Sequence, residues 1–250
     1  MENWIETTSE PRKLILAWQA PDHMEDRFRW AVGELEPHND TLVFRYIVDD
    51  EASFAALNGN RLVEQLHALG YRGYPAFNPR RKEHRTGVLD AFMSRLPPPH
   101  RPDFTDYKRQ FCLPPDLALS DFSLLGHTEA KLPSDGFSLV DPLNPGAERC
   151  DMLLEIAGYR YYADTHSLVG VGTPLEIRAE PDNPHDPKAV QVCVGGQKIG
   201  NINRLQAPTF RRWLETRTVS AVVQRLNGRA GRPRALAFVR VRPARLSVAA

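Results

Sequence analysis

Cysteine is scarce in this chain of 250 residues. The three present, Cys112, Cys150 and Cys193, are widely spaced, odd in number and form no Cys-x-x-Cys pair. Neither a disulfide framework nor a cysteine-bound zinc is expected, and the expected setting is a reducing cytoplasm. Long hydrophobic runs are missing too: nothing approaches the roughly 20 apolar residues that span a bilayer. The opening Met1-Glu2-Asn3-Trp4 has no basic and apolar leader pattern, so no signal peptide is expected. There is no Gly-rich phosphate loop, no nucleophile elbow, no His-x-x-x-His pair and no cluster of carboxylates. The eight histidines are scattered without ligand spacing. The expectation is a protein with no catalytic residues, no metal and no cofactor. Repeats of solenoid length and low-complexity stretches are also absent.

What is there reads as globular: 42% apolar and 25% charged residues. The net charge of +1 hides an asymmetry. Residues 1–145 hold 16 basic and 22 acidic side chains, and residues 146–250 hold 16 and 9. From Arg204 onward there are 11 arginines, no lysine and one acid, Glu215. Such a tail suits phosphate backbones. The other reading is that two halves of opposite charge neutralise each other across an interface. Length favours two domains. Asp141-Pro142-Leu143-Asn144-Pro145-Gly146 is the natural linker, because two prolines and a glycine break any regular element. The expected domains are therefore 1–145 and 146–250.

In the first domain, strand-like runs occupy Lys13–Trp18, Phe28–Leu35 and Thr41–Ile47, the last two joined across Pro37, Asn39 and Asp40. Helical spacing follows at Leu62, Leu66 and Leu69 before Gly70, then at Val88–Leu96, then at Phe104, Tyr107 and Phe111, and a short helix is expected at Ser120–Gly126. In the second, strands are expected at Met152–Ala157, Leu175–Ala179, Ala189–Val194 and Lys198–Ile202. Gly195-Gly196 forms a hairpin turn, Ala207–Leu214 a helix, and Val219–Leu226 and Ala235–Val241 two more strands. The fold class is α+β: a small N-terminal sheet with helices, then a C-terminal OB/SH3-like β-barrel with one helix.

The most specific text lies between two of those strands: Glu180-Pro181-Asp182-Asn183-Pro184-His185-Asp186-Pro187-Lys188-Ala189-Val190. Three prolines stiffen this loop and keep it out of a ladder. Asn183, His185 and Asp186 are then held in fixed directions, ready for a hydroxyl or a base edge. The alternative is a plain turn whose Asn and Asp side chains bond their own backbone. Upstream, Gly158-Tyr159-Arg160-Tyr161-Tyr162 offers flat faces for stacking beside a guanidinium that fits phosphate. The alternative there is a strand end with half-buried tyrosines.

These segments, with Lys198-Ile199-Gly200 and Arg204 downstream, resemble the HIRAN domain over about residues 154–241. The resemblance implies a modified OB-like barrel that grips the 3′-hydroxyl end of single-stranded DNA. By position, Arg160 and Tyr161 would lie along the terminal nucleotide and Tyr162 would support or stack. Asn183 and Asp186 would form the end pocket, with Asp186 accepting from the 3′-OH. Lys188 and Arg204 would pair with phosphates. The chain departs from the family twice. His185 stands where an aromatic is usual, and Gly228–Arg234 has three arginines and no aromatic. Both imply weaker end selectivity and stronger salt dependence.

Residues 27–141 also resemble the N-terminal subdomain of HipA-type kinases, through Val32–Leu35, Leu42–Tyr46, Val88–Pro97 and Asp121–Gly126. No catalytic lobe follows, which implies an interaction lobe and not a kinase. The leading expectation is a non-enzymatic protein whose C-terminal barrel binds single-stranded DNA and whose N-terminal lobe binds protein, possible partners including a HipA-type kinase. The alternatives are a regulator of a toxin–antitoxin or defence system, and an accessory subunit of a helicase or nuclease.

Overall fold

The computed structural model describes residues 3–21, 23–24, 28–39, 41–132, 134–184, 186–229 and 231–244. Asp40 and His185 lie outside them. The chain forms two compact units. One comprises Glu10–Tyr107 and Ala118–Pro142; the other comprises Met1–Ser9, Lys108–Leu117 and Leu143–Ala250. The expected linker thus begins the second unit at Leu143, and two earlier stretches belong with that unit.

The first unit holds β1 (Leu14–Trp18), β2 (Trp30–His38), β3 (Thr41–Tyr46), α1 (Glu51–Leu57), α2 (Val63–Ala68), β4 (Glu83–His84), α3 (Val88–Met93), α5 (Asp121–Thr128) and β5 (Phe137–Val140). Its sheet runs β4-β3-β2-β1-β5, antiparallel throughout. All five β1 residues are buried, so both faces of that strand are covered and no polar alternation is left in it. The fully buried Asn58 stitches α1 to β2: its amide donates to the Ala31 and Phe54 carbonyls at 3.0 and 2.9 Å, and its oxygen accepts from Ala31 N at 2.8 Å. Ser120, expected as the first residue of this helix, caps it instead, accepting from Ser123 N at 2.9 Å, and α5 runs past Gly126. β2 runs past the expected end and includes Pro37. Its pairing with β1 stops at Leu35, so the missing N–H of Pro37 leaves no gap in that ladder. Leu62, expected on the buried stripe, precedes α2 and is exposed. α4 (Phe104–Gln110) carries the chain from the first unit into the second.

The second unit is a barrel of β6 (Cys150–Glu155), β7 (Pro174–Ala179), β8 (Val190–Val194), β9 (Gln197–Asn201), β10 (Arg217–Arg229) and β11 (Arg232–Pro243), with α6 (Ala207–Thr216). The strand order is β6-β11-β10-β7-β8-β9. The ends of this order meet where Ala157, just beyond β6, exchanges backbone hydrogen bonds of 2.8 and 2.9 Å with Asn201 of β9. That pair closes the sheet on itself. It also explains Gly200. A Cβ there would lie 2.5 Å from Ile156 Cγ2 and 2.7 Å from the Ala157 carbonyl oxygen, so only glycine admits the closing strand. Alternate residues of β11 (Ala235, Ala237, Val239 and Val241) enter the core, and Phe210 and Trp213 of α6 pack there edge to face at 5.3 Å. The α+β class and the single barrel helix agree with expectation. All three cysteines are buried, and none is in a disulfide.

The outward face of β6, β11 and β10 is covered by the stretch from the chain's start. Asp151 of β6 is 1% exposed. Its Oδ2 accepts from the Glu6 and Thr7 amides at 3.0 and 3.1 Å, Thr7 accepts from Asp151 N at 2.8 Å, and Arg242 lies 2.7 Å from Oδ1. Asn3 bonds Gln224 at 2.7 Å and Arg240 at 3.2 Å. Ile5 N donates to the Cys112 carbonyl at 2.8 Å, which ties the two early stretches together.

Candidate nucleic-acid interface

Two structures flank the barrel closure. The first is a 3-10 turn, Tyr159–Tyr161, which follows Gly158 at φ 75° and not a strand end. Tyr159 turns inward and stacks on His166 at 4.2 Å. Tyr161 turns outward and is 68% exposed, with the Arg160 guanidinium 4.5 Å from its ring centroid and bonded to its hydroxyl. Arg160 and Tyr161 therefore present one joint surface, an aromatic ring with a positive charge over one face. Tyr162 is half-buried, its ring 5.9 Å from the ammonium of Lys198 on β9.

The second structure is the proline loop between β7 and β8. Glu180 N donates to the Ala189 carbonyl at 2.9 Å, and Ala189 N donates to the Asp186 carbonyl at 2.9 Å, so the loop closes on itself. Asn183 Oδ1 accepts from Asp186 N at 3.0 Å, and Asp186 Oδ1 accepts from Lys188 N at 2.8 Å. These are the self-bonding turns that Asn and Asp form in many loops. They use one oxygen of Asp186. The second, Oδ2, accepts nothing from the described residues. Lys188 is exposed. Arg211 of α6 donates to the Pro187 carbonyl and ties the loop to the helix.

Glu180 and Lys198 join the two structures. Lys198 Nζ donates to both Glu180 oxygens at 2.9 and 2.7 Å, and Asn183 Nδ2 donates to Glu180 Oε2 at 2.8 Å. Burial alone would raise the Glu180 carboxyl; the bonds from Lys198 and Asn183 outweigh it and hold the group below its ordinary range. Burial would likewise lower the Lys198 ammonium, but Glu180 and the Tyr162 hydroxyl hold it above its ordinary range. A continuous path therefore runs from Tyr162 through Lys198 and Glu180 to Asn183 and Asp186. Sequence reasoning quoted Glu180, Lys198 and Arg211 without assigning them a part. Glu180 and Lys198 are 18 residues apart, and only the pairing of β7, β8 and β9 brings them together. Arg204 sits apart from this path in sequence, half-buried on the turn between β9 and α6, and is already engaged within the protein. Of His185 nothing is described. Burial raises the Cys193 thiol, so it stays neutral. Among the described residues, no group of His, Cys, Asp or Glu is placed to hold a metal ion, and no helix is long and apolar enough to cross a membrane.

Comparison with known proteins agrees with the sequence resemblance. The model of one family, the HIRAN domain, matches residues 151–241. Among solved structures, the HIRAN domain of human HLTF is similar at 18% identity, covering 36% of this chain and 74% of that one with a TM-score of 0.31. A protein from Lactobacillus plantarum is similar at 18% identity, covering 37% of this chain and 96% of that one with a TM-score of 0.30. No curated protein matches the chain.

Proposed function

We propose, on the premise that residues 151–241 are a HIRAN domain, that this barrel binds nucleic acid and that its ligand is a single DNA strand held at a free 3′-hydroxyl end. The reading makes the chain a binding protein and not an enzyme. The observation that carries it is Asp186: a carboxylate fixed by its own loop, with one oxygen committed to Lys188 N and the other open to a donor. A terminal 3′-OH is such a donor. A 3′-phosphate offers none in its dianionic form, and it sets negative charge beside a carboxylate. The exposed Tyr161 ring with its arginine gives the last base a stacking face, and Lys188 and Arg204 supply positive charge for phosphates. His185 completes the set by sequence alone.

Fluorescence anisotropy with matched oligonucleotides ending in 3′-OH or 3′-phosphate tests this directly. The 3′-OH strand should bind about tenfold tighter, the order expected for one good hydrogen bond to a charged acceptor. Asp186→Ala should bring the two affinities together. Equal affinities for the wild-type protein would sink the end-gripping role. For the first unit we propose protein binding, on its resemblance to the HipA N-terminal subdomain; pull-down with residues 10–142 intact is the corresponding measurement.

A further inference from the structure

The acidic part of the sequence, residues 1–145, gathers positive charge in one place. Residues 80–85 read Arg-Arg-Lys-Glu-His-Arg, which puts four of its 16 basic side chains within six positions. The segment lies at an edge of the first unit's sheet, where Glu83 and His84 form β4. Its backbone is held from several sides. Asn78 Oδ1 accepts from Arg80 N at 2.9 Å, and the Asn78 carbonyl accepts from Arg81 N at 3.1 Å. Tyr46 N donates to the Lys82 carbonyl at 2.9 Å. The buried His84 ring lies 4.9 Å from the Phe77 ring, with its Nε2 3.1 Å from the Asn78 carbonyl oxygen. Pro79 packs so closely on Gly73 (φ 99°) that a Cβ there would lie 2.9 Å from Pro79 Cβ. A ligand meeting this segment has little backbone left to order.

The nearby acids are taken up by other cations. Glu83 serves two arginines, Arg45 at 2.7 Å and Arg85, and Arg45 also bonds Glu36 at 2.8 Å. The bonds from Arg45 and Arg85 hold the Glu83 carboxyl below its ordinary range. Asp50 is held low first by the Ser53 amide and hydroxyl, and it also faces Lys82. Arg80 and Arg81 are different. Both are exposed, and neither guanidinium meets a carboxylate or another acceptor among the described residues. Two adjacent guanidinium forks on a fixed backbone suit the oxygens of a phosphodiester chain.

We infer that Arg80 and Arg81 form a contact of the first unit with the phosphate backbone of a nucleic acid. The choice of nucleic acid over another polyanion rests on the nucleic-acid reading of the barrel, but the contact needs no strand terminus. It reads no sequence, as is general for backbone contacts.

The test titrates the full chain with a closed circle of single-stranded DNA across a salt series. A circle has no terminus for Asp186 and still offers phosphates. It should bind, with an affinity that falls as salt rises. The double variant Arg80→Gln, Arg81→Gln should lose about tenfold at about 0.15 M salt, its slope shallower by about 1.4 for two lost single-strand phosphate contacts. Arg80→Lys, Arg81→Lys keeps the charges and should restore the slope, which separates charge loss from a damaged fold. Asp186→Ala should leave binding of the circle unchanged. An unchanged affinity and slope in the glutamine variant would overturn the inference, as would polyglutamate displacing the circle as well as linear DNA does. If 3′-OH and 3′-phosphate strands bind alike while the circle still depends on the two arginines, the end pocket fails and this contact stands. If the circle does not bind, the contact fails whatever the linear strands do.

Discussion

Glu180 shows how one buried contact sets the character of a loop. Its carboxylate links the Lys198 ammonium to the Asn183 amide. Because its folded pKa lies below the ordinary value, its contribution is complete above the ordinary carboxylate range and is lost as pH falls through the lower folded value. Lys198 is held above its ordinary range, so its contribution is complete through neutral pH and is lost as pH rises through its raised folded value. Amide hydrogen exchange at Asp186 and Ala189 reads this. Protection in the wild type should hold from neutral to mildly acid pH and drop below the ordinary carboxylate range. Glu180→Gln should open the loop about tenfold more often already at neutral pH, the equivalent of about 1.4 kcal/mol for a partly exposed ion pair with hydrogen bonds. Unchanged protection in that variant would mean the prolines alone hold the loop.

At the level of elements, sequence pattern located nearly every strand and helix of the barrel, because alternation in β11 and the 3.6-residue stripe of α6 are written locally. It mistook the tip of the last hairpin for a loop. Glycine and proline at 228 and 233 are breaker signals, yet Gly228 of β10 pairs with Pro233 of β11, where a Cβ would lie 2.3 Å from the Arg232 carbonyl oxygen. Asp186 lies on the expected proline loop, whereas the 3-10 turn Tyr159–Tyr161 is not legible in the pattern, which offers a strand end there. Pattern also missed Glu180–Lys198, since strand pairing across three elements is not local information. Gly200 is the clearest case of a motif residue with a purely steric reason. Gly200→Ala should force Ile156 or the Ala157 carbonyl to move and should destabilise the barrel by about 1–3 kcal/mol, measured by urea unfolding. A neutral effect would show that the Ala157–Asn201 closure yields without penalty.

For the whole molecule, the division into units does not follow the order of the chain. The barrel recruits residues 3–9, and Asp151 is the anchor: a buried carboxylate whose partners include two backbone amides from the chain's beginning. Removing residues 1–9 leaves that carboxylate without its two backbone amide donors. The barrel should lose about 3 kcal/mol by thermal or urea unfolding, and Asp151→Ala should lose a similar amount. A truncated protein as stable as the full one would reduce the segment to a decoration. Pieces cut at the linker for binding measurements would lack this cover, so the nucleic-acid titrations belong on the full chain.

The same anchor imposes a timetable on biosynthesis. Thr7 leaves the ribosome some 144 residues ahead of Asp151, and at about 5–20 residues per second that is a wait on the order of ten seconds. Asn3 must wait longer, since its partner Arg240 is separated from it by 237 positions. In that interval the sheet of the first unit can assemble while the leading residues remain unmatched. The barrel reaches its finished form only after β11 is made, so residues 3–9, translated well before it, are among the last to find their place.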